Sequence, residues 1–353
     1  MKQVRFGLLG FGEWAEWHAR FIDELPQASL LAIAEQDRQR RKTAKKQFGV
    51  RTYPNYQSLL AEEEIDVVDV VLPNYLHHEA AITALEAGKN VFLEKPMAVT
   101  VGHCNEVIAA LRGAQDGTNT PFLAVGFELR LSPLWGGIKQ LIREGKIGQV
   151  KAVHFNVFRA MTSSGAGSWR LRPEFVGSWL LDAPIHYFDL MRWYMQGRGE
   201  PHLIYASNTY TADEGAAVDN FASVVDFSKG GYGQLGYSMG GYGYSISAKV
   251  TGERGAISAR WEKPNGKEPA SSLEYSHDGS QTVVPITLPV DETIDLRSEI
   301  SRVVSAVQTG KVALADARDG RQAVVICLMA EESLSRKQAV KFSEGGEAIE
   351  QGS

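Results

Sequence analysis

The apolar run Val4 to Leu9 ends in Gly10-Phe11-Gly12-Glu13-Trp14-Ala15 and passes directly into a helix-like segment. A G-x-G-x-x-A turn between a strand and a helix leaves few architectures open. The first glycine permits a tight turn, the second lets backbone approach a pyrophosphate, and small Ala15 allows close helix–strand packing. The helix N-terminus adds unpaired N–H groups and the positive end of its dipole. Glycine turns after strands are common, so the context decides. Strand-like runs at Leu30–Ala34, Asp66–Leu72, Asn90–Leu93 and Phe122–Val125 alternate with helical segments at Tyr56–Glu62, Glu79–Ala87 and Val101–Leu111. Near-continuous apolar strands separated by helices predict a parallel sheet covered on both faces. The expectation is a doubly wound dinucleotide-binding domain over residues 1–126, with Gly10, Phe11, Gly12, Glu13 and Trp14 around the phosphates.

Glu35 stands at the end of the second strand, where an acidic residue grips the adenosine ribose. A carboxylate there repels a 2′-phosphate and favours NAD. Arg38, Arg40 and Arg41 follow and leave NADP open; Arg38 is read as a further cofactor contact. Ligands of such sheets lie across the carboxyl ends of the strands. Those ends carry Leu72-Pro73-Asn74, His77 and His78, and then Glu94-Lys95-Pro96. Leu72, Pro73, Asn74, His77, Glu94 and Lys95 are therefore expected at the cofactor. Pro96 biases Lys95 towards an extended conformation that projects its side chain from the strand end. The plainer reading makes Lys95 a solvated loop lysine.

From about Val150 the pattern changes. Lys151–Arg159, Ile204–Thr211, Phe221–Phe227, Gly231–Met239, Tyr244–Thr251 and Ala256–Trp261 read as strands, and Gly231–Tyr244 as a hairpin. Asp295–Gln308 and Arg318–Leu334 read as closing helices, with a weakly ordered tail from about residue 344. Between the first two of these strands lies Gly177-Ser178-Trp179-Leu180-Leu181-Asp182-Ala183-Pro184-Ile185-His186-Tyr187-Phe188-Asp189. On a helix, Asp182, His186 and Asp189 share one face. A titratable row in an apolar segment needs a reason, because an unpaired buried charge is costly. The plain reading is a helix cap at Asp182 with a satisfied core histidine. A metal site is the sharper rival, yet the row lacks a clear fourth ligand and no H-E-x-x-H occurs.

The chain resembles the Gfo/Idh/MocA oxidoreductases through G-F-G-E-W-A, P-N-Y-L-H, A-L-E-A-G-K-N-V-F-L-E-K-P and D-A-P-I-H-Y-F-D. The resemblance implies a Rossmann domain followed, over residues 127–353, by an α/β domain with an open, mostly antiparallel mixed sheet for substrate recognition and oligomer contacts. It places the family's catalytic lysine on Lys95 and its Asp and His on Asp182 and His186. Asp189 matches a position that touches substrate hydroxyls in inositol dehydrogenases, and Arg130 and Pro133 match an element that opens the second domain. Departures include Gly177-Ser178-Trp179 where many members have three glycines, Pro184 where they have glycine, Glu128 where asparagine is frequent, and Leu72 where threonine is. They surround the pocket and bear on substrate more than on chemistry.

The implied reaction moves a hydride between a secondary hydroxyl of a sugar, glycoside or cyclitol and nicotinamide. His186 serves as acid/base, Lys95 stabilises the developing alkoxide, and Asp182 orients. Glu128, Trp169, Arg170 and Asp189 join Lys95, Asp182 and His186 as expected substrate contacts. Trp169 and Trp179 are candidate sugar platforms, against core packing as the commoner role. A glycosidase using NAD transiently and a non-catalytic NAD-binding regulator are the alternatives.

Composition adds exclusions. A net charge of −5 in 353 residues gives no footprint for nucleic acid. No apolar run approaches membrane-spanning length, and the start lacks a signal-peptide pattern. Cys104 and Cys327 stand in no metal or redox spacing and read as reduced core thiols. The expectation is a cytoplasmic homo-oligomer, dimer or tetramer.

Overall fold

The computed structural model describes residues 3–116, 120–159, 169–170, 172–209, 220–239, 243–264, 268–312, 314–343 and 348–349. The Ser/Gly-rich stretch 163–168 lies outside them. The chain opens with β1 (Val4–Leu9), α1 (Glu13–Glu24), β2 (Ala28–Ala34), α2 (Arg38–Phe48), β3 (Arg51–Tyr53), α3 (Tyr56–Glu62), β4 (Val67–Val70), α4 (His77–Glu86), β5 (Asn90–Glu94), α5 (Val101–Gln115) and β6 (Leu123–Gly126). There follow α6 (Trp135–Arg143), β7 (Val150–Phe158), α7 (Pro173–Val176), α8 (Pro184–Tyr194), β8 (Pro201–Thr209), β9 (Asn220–Phe227), β10 (Tyr232–Ser238), β11 (Gly243–Gly252), β12 (Gly255–Pro264), β13 (Ala270–His277) and β14 (Ser280–Val283). The chain closes with α9 (Glu292–Thr309), β15 (Ala315–Asp316), α10 (Ala317–Arg336), β16 (Val340–Phe342) and β17 (Ala348–Ile349).

Two compact units emerge, and the chain passes between them more than once. The first comprises residues up to Glu128, the described part of Gly165–Gly177, and Asp295–Val324. Along the chain the main break falls after Glu128, with two later returns to the first unit. The reason for the second return is apolar burial. Leu296, Ile300, Val303 and Val304 of α9 join Phe6, Leu8, Phe92 and Ala124 in the core of the first unit. Its sheet runs β15-β6-β5-β4-β1-β2-β3. All pairs are parallel except β15 against β6. This is the doubly wound order, with its reversal at β1, between β2 and β4.

The second unit is built on a ten-stranded sheet, β14-β13-β12-β11-β7-β10-β9-β8-β16-β17. Only β7 and β10 pair in parallel; the other described pairs are antiparallel. The hairpin expected over Gly231–Tyr244 does not form. β7, whose buried residues alternate, lies between β10 and β11 and pairs with both. Strands β13 and β14 went unforeseen because Ala270–His277 buries only Leu273 of its eight residues. In the expected tail, Ala348–Ile349 forms β17 against β16, and the rest lies outside the described residues. Helix α8 packs on the inner face of this sheet. Phe155 there meets Trp135, Tyr187 and Tyr194 at ring separations of 5.6–6.1 Å, and Gly233 leaves room for Met191, whose sulfur would lie 2.1 Å from an added Cβ. No helix among the described residues is long and apolar enough to cross a membrane.

Candidate active site

Gly10 has φ +96°, and a Cβ there would lie 2.2 Å from the carbonyl oxygen of Val71. Only glycine fits. Gly12 is different: it precedes α1 at φ −86° without a side-chain cap, and an added Cβ would meet nothing within 4 Å. The uncapped N-terminus of α1 therefore faces open space, which fits a pyrophosphate. Ala15 is buried beneath it. Glu35 is buried at the end of β2. Its Oε2 accepts from Phe11 N (2.9 Å) and its Oε1 from Asp37 N (2.8 Å) and Arg40 Nη2 (2.8 Å). Arg41 donates to the carbonyls of Glu35 and Gln36 at 2.6 and 2.7 Å. Arg38, the arginine singled out from sequence, is exposed at the start of α2. Arg40 holds the position beside the carboxylate.

At the end of β4, Leu72 and Pro73 are half-buried and Asn74 is buried. Asn74 Nδ2 donates to Val176 O at 3.1 Å, and Tyr75 stacks on Phe175 at 4.7 Å. His77 is fully buried, with its ring nitrogens 2.7 Å from the carbonyl oxygens of Pro96 and Leu72. It ties the loops after β4 and β5 together. Burial pulls its pKa below the ordinary value. His78 stacks on His103 at 4.2 Å and meets Glu106 at 2.7 Å. The Lys95–Pro96 peptide is cis.

Sequence reasoning missed a charged cluster behind Lys95. His18, on the buried face of α1, has Nδ1 2.9 Å from Asp69 Oδ2 and Nε2 3.2 Å from Glu94 Oε1. Trp14 Nε1 donates to Glu94 Oε1 at 2.9 Å, and Lys95 N to Glu94 Oε2 at 3.2 Å. Burial opposes a charge on His18, but the Asp69 and Glu94 carboxylates prevail and raise its pKa to about 10. Burial raises the Asp69 carboxyl above its usual range. For Glu94, burial is outweighed by His18, Lys95 and Trp14, which hold it below. One signal was available: Asp69 is a lone acid inside the buried run Val67-Val68-Asp69-Val70.

In the second unit, Ser178 caps a short 3₁₀ turn at Trp179–Leu181, accepting from Leu180 N at 3.2 Å. Asp182 follows in αR geometry, and α8 starts at Pro184 with Ala183 as its uncapped N-cap. Asp182 is therefore not the cap that the plain reading made it. Asp182 and His186 are half-buried. Asp189 is 1% exposed and grips Arg130 bidentately at 2.7 and 2.6 Å. Half-buried Trp179 lies against Phe221 and Tyr237, 5.8 and 6.0 Å away, on the inner face of the sheet. In the first unit Glu128 is buried, and half-buried Trp169 carries Arg170 over its ring at 5.2 Å. Among the described residues no group of three His, Cys, Asp or Glu can hold a metal ion.

Residues 4–117 match the oxidoreductase family model with an NAD-binding Rossmann fold, and residues 136–258 match the GFO/IDH/MocA C-terminal domain. The chain belongs to the Gfo/Idh/MocA oxidoreductase family. It is 27% identical over 342 residues to an inositol 2-dehydrogenase of Acidothermus cellulolyticus, covering 96% of this chain and 95% of that one. A myo-inositol 2-dehydrogenase of Thermotoga maritima is 26% identical over 349 residues, covering 97% and 99%. A levoglucosan dehydrogenase solved with NADH and L-sorbose superposes with TM-score 0.83 at 21% identity, covering 97% and 99%. The NAD-binding Rossmann match of this chain, residues 4–117, falls within the first unit described above.

Two outcomes follow from this geometry. Gly12→Ser supplies a better helix cap than glycine's bare backbone; it should leave the melting temperature unchanged or higher while weakening NAD at least tenfold by calorimetry. Gly10→Ala should lower the melting temperature itself. The His18 charge gives a pH signature. Its pKa is raised on folding, so its contribution to stability is complete below its unfolded value near 6.5 and is lost as pH rises through about 10. Melting temperature should fall between about pH 6.5 and 10, and the fall should flatten in His18→Gln.

Proposed function

We propose that the chain oxidises a secondary hydroxyl of a sugar, glycoside or cyclitol with NAD. The observation that carries this is Lys95, placed at the carboxyl end of β5 in an NAD-binding Rossmann domain, with its amide held by Glu94. The activities named for the inositol and levoglucosan dehydrogenases support the substrate class.

The hydroxyl proton must leave and charge must be stabilised on its oxygen. His186 accepts that proton through its imidazole. Lys95 donates a hydrogen bond to the same oxygen and stabilises the charge that develops there. Asp182, four residues before His186, orients the imidazole or a neighbouring substrate hydroxyl. Bound NAD supplies the hydride acceptor. Asp189 acts chiefly by fixing Arg130, since its carboxylate is already engaged by the guanidinium. Trp169 and Arg170 offer an aromatic face and donors to hydroxyls, and Glu128 a buried carboxylate.

Lys95→Met and His186→Ala should each lower NADH formation by at least about a hundredfold while NAD binding stays within threefold of wild type. The assay is a screen of inositols, aldoses and glycosides, with NADP in parallel. Turnover at wild-type rate in either variant would overturn the assignment. Sugar cleavage without NADH accumulation would replace it with transient oxidation.

The proposal extends to assembly. On the outer face of the second unit's sheet, Tyr205, Val224, Tyr232 and Phe158 are 40–50% exposed. Their register puts them on one face: Tyr205 opposes Val224, Val224 opposes Gln234, and Phe158 opposes Ser238. A second copy is the proposed occupant, because a self-complementary sheet face closes a two-fold pair. Val224→Lys with Tyr205→Lys should reduce the assembled mass by light scattering to that of the single chain.

A further inference from the structure

The His18 cluster has a geometry that plain core packing does not require. Both ring nitrogens of His18 face carboxylate oxygens, an arrangement that a doubly protonated ring satisfies in full by donating to each. The ring is fully buried, with Phe92 stacked on it at 5.6 Å and the edge of Trp14 at 6.0 Å. The charged groups facing it are Asp69 from β4 and Glu94 from β5, with Lys95 next to Glu94. From α1 itself comes only the Trp14 indole. Glu94 has little freedom: Oε1 accepts from His18 and Trp14, and Oε2 from Lys95 N. Across β5 and β6, Gly126 opposite Glu94 keeps the space clear, because an added Cβ would stand 3.0 Å from Glu94 Oε1. The remaining Asp69 oxygen, Oδ1, is buried without a hydrogen bond. Asp69 is thus held by His18 alone among the described contacts.

We propose that His18 is a positioning residue for Lys95, bridging Asp69 and Glu94 as an imidazolium so that the Glu94 carboxylate stays ionised and fixed beside the lysine. This rests on the reading that Lys95 acts on the substrate. The elevated pKa of His18 agrees with a permanent charge across the working range. Without His18, Glu94 Oε1 keeps only the Trp14 indole as a donor, and the two carboxylates share a buried pocket that favours a proton on one of them. If that one is Glu94, the ammonium loses its neighbouring charge and the backbone amide of Lys95 loses its acceptor.

The test uses the full chain as His18→Gln. A second variant, His18→Gln with Asp69→Asn, removes the surplus carboxylate should the first fail to fold. One arm needs no turnover. Lysines are reductively methylated with ¹³C-formaldehyde, and the Lys95 resonance is identified by its loss in Lys95→Met. Its chemical shift or titration should change in the His18 variant while the other lysine resonances stay in place. The second arm is kinetic. His18→Gln should lower kcat at pH 7 by tenfold or more and shift the acid limb of kcat upward by at least one pH unit, with KM and NAD affinity within threefold. A Lys95 resonance unchanged from wild type, or a kcat profile that keeps its shape, would overturn the proposal. Failure of the proposed function is a separate result: a wild-type chain that oxidises no polyol, or a fully active Lys95→Met, whatever the resonances show.

Discussion

Parallel pairing is the constraint from which the rest of the first unit follows. In a parallel sheet every strand delivers its carboxyl end to the same edge, so residues distant in sequence converge there. Gly10 follows β1, Glu35 follows β2, Leu72 lies just past β4, and Glu94 ends β5. The chain turns so tightly after β1 that the Gly10 α-carbon sits against the carbonyl of Val71. That closeness brings the uncapped start of α1 to the edge, where Glu35, His77 and Glu94 are buried. Each must be satisfied by another. Glu35 is met by two backbone amides and Arg40, and Glu94 by an imidazole, an indole and the next residue's amide.

The second unit solves the same problem on a helix. Asp189 faces inward on α8, where nearly every other position is apolar and buried. A carboxylate there is tolerable only with a partner of matching shape, and the guanidinium of Arg130 gives two parallel hydrogen bonds. Arg130 also lies over the Trp193 ring at 5.2 Å. Asp182 and His186 differ by being only half-buried. Position along one short segment therefore separates a carboxylate committed to the scaffold from residues with surface left for a ligand.

Much of this was legible without coordinates. Apolar runs of β1, β2, β4, β5 and β6 are nearly continuous because both faces are covered, and the glycines between β1 and α1 mark the turn. The adjoining Glu35 and Glu94-Lys95 could be placed because strand ends are easy to locate. Three things were hidden, each for a physical reason. Which arginine reaches Glu35 depends on helix phase: Arg38 and Arg40 differ by 200° around α2. The insertion of β7 between β10 and β11 is a pairing choice that local alternation does not encode, since each strand alternates correctly in either arrangement. The partners of His18 lie 51 and 76 residues away, and nothing in α1 announces them.

The buried cluster also bears on why the first unit carries charges where apolar groups would pack. Three well-packed hydrophobic residues in place of a buried ionic triad often match or exceed its stability, because they avoid the desolvation cost. Stability alone therefore does not account for His18, Asp69 and Glu94. An apolar trio would join α1, β4 and β5 equally well, but it would leave no carboxylate against Lys95. Glu94 is the only one of the three that hydrogen-bonds the lysine's backbone, and burial works against its charge. His18 supplies the charge that keeps it ionised. Asp69, deeper in β4, offsets the charge on His18 and holds its ring in line, which makes the cluster a support for one ionised group at the surface of the site.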